Sequence, residues 1–151
     1  MKNYKTGITL VEILIVLGVI VILIAVLLPS FTTVRRNQVL KSTTSSILSA
    51  LDKAKSSSIS SIGSSEYGIH FESSQIVIFQ GIVYSSSDVD NEVISISSPA
   101  SISNITLTGG SVDLYFDRLS GVPNRSGTIT ISASPLSQTI TISATGAISL
   151  N

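Results

Sequence analysis

The stretch that decides the fold is Met1–Pro29, MKNYKTGITLVEILIVLGVIVILIAVLLP. A short leader carrying Lys2 and Lys5 and no acid ends at Gly7. An apolar run then extends from Ile8 to Leu28, is broken by one charge at Glu12, and stops at Pro29. Wound as a helix at about 1.5 Å per residue, the run spans roughly 31 Å, close to the thickness of a bilayer's hydrocarbon core. Only a helix satisfies its own backbone there. The run exceeds the apolar core of a secretory signal, and no A-x-A-like site follows it. The basic leader favours a cytoplasmic N-terminus, while Arg35, Arg36 and Lys41 on the far side weaken that bias. Pro29 lacks an N–H and crowds the preceding turn, so an end or kink of the first helical section is expected there. A carboxylate inside a spanning stretch is costly and marks a function.

The residues Gly7-Ile8-Thr9-Leu10-Val11-Glu12 resemble the class III signal of type IV pilins and type II secretion pseudopilins. The resemblance implies cleavage by a prepilin peptidase between Gly7 and Ile8 and N-methylation of Ile8. It gives Glu12 a register role in filament assembly, and the family's proline falls at Pro29. Two positions depart from the pattern. Ile8 stands where the family usually has Phe, and Val21 where it often has Gly, Gly18 being the only glycine of the run. The physical reading of Glu12 runs parallel to the resemblance. Cleavage frees an α-amino group on Ile8, and a Glu12 carboxylate of one subunit can pair with that ammonium in the next. Leaving one partner of a buried pair unmatched costs roughly 3–5 kcal/mol, so the pair sets register more than it adds stability. The alternative is a plain single-pass anchor whose Glu12 snorkels to the interface.

Beyond Pro29 the apolar positions Phe31, Val34, Leu40, Ile47, Leu51 and Ala54 recur mostly at three- or four-residue steps. That is an amphipathic helix pattern. One long helix from Ile8 to about Ser58 is expected, its second half facing a globular domain. The serines of 56–58 and 64–65 with Gly63 read as a connector. After it the period changes to two. Strands are expected at 67–72 and 75–79, joined at Ser73-Ser74, with 82–84 continuing them. Others are expected at 93–96, 102–107, 112–116, 128–132, 139–143 and 147–150. The two TITIS segments, 128–132 and 139–143, read as hairpin partners around Pro135. The expected organisation is a leader at 1–7, a helix with connector at 8–62 whose part 8–28 is transmembrane, and an antiparallel β domain at 63–151. The fold class is α+β, with a pilin-like long N-terminal helix packed on a C-terminal antiparallel sheet.

The chain has 151 residues with nine Lys plus Arg and nine Asp plus Glu, and no cysteine to form a disulfide. From Ile59 onward the bases are Arg118 and Arg125 against seven acids, a net of −5. Asp88, Asp90 and Glu92 offer hard oxygen ligands that suit calcium, against the plainer reading of a solvated acidic loop. Arg118 and Arg125 are the candidate ligand-binding residues, yet phosphate binding wants a basic patch and this half of the chain is acidic. Arg118 is expected to pair with Asp113 or Asp117, or to be merely solvated. His70, the only histidine, reads as a surface residue on a strand's polar face. No nucleophile elbow or transition-metal motif is present, so no catalytic residue and no cofactor are expected.

The second half also resembles the H-type minor pseudopilins of type II secretion and the FimT-type minor pilins. The matching segments are Ala50-Leu51-Asp52-Lys53-Ala54, Tyr67-Gly68-Ile69-His70-Phe71, Phe116-Asp117 with Gly121, and the closing strands with Gly146. Together the resemblances imply a minor structural subunit of a type IV pilus or a type II secretion pseudopilus. Its partners would be other subunits, the prepilin peptidase and an inner-membrane assembly platform. It would sit in the inner membrane with the N-terminus cytoplasmic and then in the filament. The alternative is a tip subunit that captures DNA or another surface ligand.

Overall fold

The structure, a computed structural model, describes residues 7–151, with the backbone alone for residues 26–30. The leader through Thr6, with Lys2 and Lys5, lies outside the described residues. So does the Pro29 side chain on which the expected kink rests. Helix α1, Leu10–Ile59, runs through that position. The chain divides into two compact units, Met1–Arg35 and Arg36–Asn151. This division falls inside α1, whose second half contributes to the core of the β domain.

In the first unit the helix is apolar on every side, and its large apolar side chains from Ile8 to Ile24 are 44–79% exposed. Among the described residues no helix is long and apolar enough to cross a membrane. The span read over 8–28 continues through Val26, Leu27 and Leu28, whose side chains are not among those described.

In the second unit α1 is amphipathic. Leu40, Ile47, Ala50, Leu51 and Ala54 fall on one stripe and are buried. Thr44, buried on the same side, returns its hydroxyl to the Leu40 carbonyl at 2.9 Å, which satisfies it locally. The helix ends at Ile59, within a residue of the expected end, and Ser58 anchors its last turn. Its Oγ is fully buried and accepts the Tyr67 N–H at 2.8 Å, tying the last turn to the first strand. Left-handed Ser61 and Gly63 then turn the chain through a short 3-10 segment, Ile62–Ser64.

Eight strands follow: β1 Tyr67–Phe71, β2 Gln75–Gln80, β3 Glu92–Ser95, β4 Ser101–Leu107, β5 Asp113–Phe116, β6 Gly127–Ala133, β7 Leu136–Ile142 and β8 Ile148–Leu150. They form two antiparallel four-stranded sheets, ordered β3-β2-β1-β5 and β4-β6-β7-β8. The TITIS segments pair, Thr128 facing Thr141 and Thr130 facing Thr139. Residues 82–84 are not a strand. Gly81 at φ 99° ends β2, and Tyr84 turns back over the sheet. The core gathers the α1 stripe, Ile69 and Phe71 of β1, Ile76 and Ile78 of β2, Leu114 and Phe116 of β5, and the inward residues Ile129, Ile131, Ile140 and Ile142 of the second sheet. Val77 and Phe79 are buried outside this cluster. Alternation turns them to the opposite face of β2, where Phe79 fills the space left by Gly68.

Candidate functional site

The chemistry at the start of α1 is built by Thr9. Residues 7–9 are not helical, and the Thr9 Oγ1 accepts the Glu12 N–H at 3.2 Å. Thr9 is therefore the N-cap and Glu12 the third helical residue, the T-x-x-E spacing of a capping box. The sequence reading missed this role, although the four-residue spacing carries its signal. A carboxylate in the first turn also meets the positive end of the helix dipole. Glu12 is exposed and is the only charge among residues 7–25. It borders a hollow of about 270 Å³ lined by Ile8, Ile13, Val16 and Leu17. Neither Gly7 nor Gly18 has a neighbour within 4 Å of where a Cβ would stand. The Gly7–Ile8 bond thus precedes the helix on open backbone.

The remaining candidates lie in the second unit and do not converge. Arg118 donates to the Ser64 carbonyl at 3.0 Å, and Arg125 to the Asp113 carbonyl at 3.1 Å. The expected pairing of Arg118 with Asp113 or Asp117 is not found, because the Asp113 carboxylate is held elsewhere and Arg118 ties the β5–β6 loop to the turn after α1. Glu92 pairs with Lys53 at 2.5 Å. Asp88 Oδ1 accepts the Asp90 N–H at 3.1 Å, closing a local turn. Among the described residues no group of three His, Cys, Asp or Glu side chains is arranged to hold a metal ion.

His70 is more than a surface histidine. Its side chain is 15% exposed. Its Nδ1 meets the carboxylate of Asp113, directly opposite on β5, and its Nε2 lies 3.3 Å from Glu72. Tyr84 stacks on the imidazole with ring centroids 4.0 Å apart and planes 12° from parallel. The carboxylates sit at opposite ring nitrogens, so they hold the ring from both sides. Glu72 was legible as a same-face neighbour two residues on, whereas Asp113 arrives only through the β1–β5 pairing.

Gly121 and Gly146 meet near the end of α1. A Cβ on Gly121 would stand 2.7 Å from Ile59, and one on Gly146 2.8 Å from the Gly121 carbonyl. Lys55 caps the junction by donating to the Gly146 carbonyl at 2.8 Å. No protein-family model, curated protein or solved structure matches this chain.

Proposed function

We propose that this chain is a prepilin-like minor subunit of a type IV pilus or a type II secretion pseudopilus. It is inserted in the inner membrane with its N-terminus cytoplasmic, cut between Gly7 and Ile8, methylated at Ile8, and assembled through α1. The observation that supports the reading is the coincidence of Gly7, Glu12 and Pro29 in the family's register with a first helical section whose described large apolar side chains, from Leu10 to Ile24, are all exposed. A helix that is apolar on every side belongs in a bilayer or among other helices. Water alone is a poor solvent for it.

The residues fit the steps. The bond between Gly7 and Ile8 lies on non-helical backbone open to a peptidase. Hydrolysis leaves the α-amine of Ile8 one residue before the N-cap. Glu12, fixed in the first turn through its own amide, offers its carboxylate to such an amine on a neighbour. In hydrocarbon an unmatched carboxylate is costly, so subunits that align amine with carboxylate are favoured over those that do not. The second half of α1 gives its apolar stripe to the β domain, which coats the filament.

Intact mass and N-terminal sequence of the protein from its native membranes test this reading. A chain starting at Ile8 with one added methyl is expected. A chain still starting at Met1, in cells whose prepilin peptidase cleaves other substrates, overturns it in favour of a single-pass anchor.

A further inference from the structure

His70 stands on β1 between two paired strands, opposite Val77 of β2 and Asp113 of β5. The Asp113 carboxylate meets its Nδ1, and the Glu72 carboxylate lies 3.3 Å from its Nε2. Glu72 is itself held, because the Gln75 Nε2 donates to it at 2.9 Å. An ionised carboxylate only accepts hydrogen bonds, and a neutral imidazole has one N–H. Whichever nitrogen carries that proton, the other turns a lone pair toward a carboxylate. Only the imidazolium, with an N–H at each nitrogen, suits both partners. Two further ionisable groups come from β5 and the loop after it. Tyr115 shares the face of Asp113 by alternation. Arg125 donates to the Asp113 carbonyl at 3.1 Å, so its charge lies near the clasp but pairs with backbone. The β2 neighbour, Val77, is uncharged.

The face of the ring carries the consequence. Tyr84 stacks on it with centroids 4.0 Å apart, and its other aromatic neighbour is Phe79 at 5.7 Å. A cation against an aromatic face is attracted to it, and Tyr84 gains that attraction only while His70 is charged. Tyr84 belongs to the loop between β2 and β3, residues 81–91. The Gly81 N–H fastens the start of this loop to the Glu66 carbonyl at 2.8 Å. Beyond Tyr84 the loop bonds to itself. The Asn91 side chain at 2.7 Å and the Asp88 N–H at 3.2 Å both reach the Ser85 carbonyl. The Tyr84 ring is therefore the hold of the sheet on the middle of the loop.

We propose that His70 is a proton switch for the β2–β3 loop. Charged, the ring is clasped by Asp113 and Glu72 and holds Tyr84, and the loop stays on the sheet. Neutral, it loses one carboxylate bond and its attraction for Tyr84, and the loop comes away with the exposed Ile82, Val83 and Val89. The clasp needs ionised carboxylates and a charged ring together. Those states coexist between the ordinary carboxylate range, at about pH 4, and the ordinary imidazole range, at about pH 6.5. The loop is thus held tightest in mild acid and loosens as the pH rises through neutrality. The Glu72 and Asp113 side chains are 41% and 36% exposed, so solvent screens both pairs. The change is accordingly modest, roughly fivefold in the ratio of held to released loop.

The chain has one histidine and no cysteine, so one ring and one introduced thiol can each be followed alone. Parallel samples of the full chain in detergent micelles carry either isotopically labelled histidine, read by NMR, or a spin label at Val89→Cys, a position 94% exposed. Both are titrated from about pH 5 to about pH 9, across the imidazole range. The ring resonances and the mobile fraction of the label are expected to follow one curve, with the label freer at high pH. In His70→Gln, which keeps a polar side chain that cannot charge, the label should be indifferent to pH. In Tyr84→Leu the ring should still titrate, while the label is mobile at every pH. Tyr84 lies outside the core cluster, so this variant carries the test even where His70→Gln fails to fold. A label response that survives either substitution overturns the switch. So does a ring that titrates while the label stays unchanged, or a ring that does not titrate in this range.

Discussion

At the residue scale, the backbone role of Glu12 is separable from the register role proposed for its carboxylate. The Thr9 cap depends on the Glu12 amide alone. Thr9→Ala should therefore fray the first turn by about 1 kcal/mol. Faster hydrogen exchange at the Glu12 amide, with the β domain unchanged, is the measurement. Glu12→Gln keeps a residue suited to the third helical position while removing the charge. It should be processed normally yet enter filaments poorly, as Glu12→Ala should. Normal incorporation of Glu12→Gln in a filament pull-down would remove the register argument. Gly68 shows how one missing Cβ shapes the outer face of the first sheet. A methyl there would stand 2.3 Å from the Phe79 ring and 2.6 Å from the Leu114 carbonyl. Phe79 cannot move freely beneath Tyr84, and the carbonyl is backbone. Gly68→Ala should destabilise the domain by about 1–3 kcal/mol in a denaturant titration.

At the scale of elements, the join between α1 and β1 depends on Ser58 more than on the connector's composition. Ser58 Oγ accepts the Tyr67 N–H at 2.8 Å and lies within 3.4 Å of the Tyr67 carbonyl. Ser58→Ala leaves that amide without its acceptor in a buried place, which should cost about 1–3 kcal/mol. Chemical denaturation with an unchanged m-value would verify it, and loss below a few tenths would show that water replaces the hydroxyl. The serine-rich run was legible as a poor helix by propensity. It stays helical to Ile59 because this hydroxyl has a tertiary partner. The segment 82–84 went the other way. Its Ile-Val-Tyr composition suits a strand, yet Gly81 turns the chain and the Tyr84 ring finds His70. Strand propensity reports a fit to a pleated, half-buried surface, and here the aromatic ring does better off the ladder.

At the scale of the whole molecule, the core of the second unit is complete from Leu40 onward. A chain beginning at Arg36 should melt cooperatively on its own, since the core residues from Leu40 to Ile142 all lie within the second unit. Within it, Leu51→Ala should cost about 2–5 kcal/mol, because the side chain is fully buried and its neighbours come from a helix and two sheets that cannot all collapse inward. Failure of the 36–151 fragment to fold would show that the helix before residue 36 supports the domain. The helix, its change from all-round apolar to amphipathic, the strand alternation and the TITIS hairpin were determined by the sequence alone. Each is a periodicity within a few residues, and local backbone geometry converts period directly into element. The division into two sheets, the clasp on His70 and the carbonyl partners of Arg118 and Arg125 were decided only by the tertiary structure. Alternation says which residues share a face but not which strand lies alongside. His70 and Asp113 become neighbours because β5 crosses back to β1 after β4 has entered the other sheet. That pairing depends on distant chain segments closing one core, and no local pattern records it.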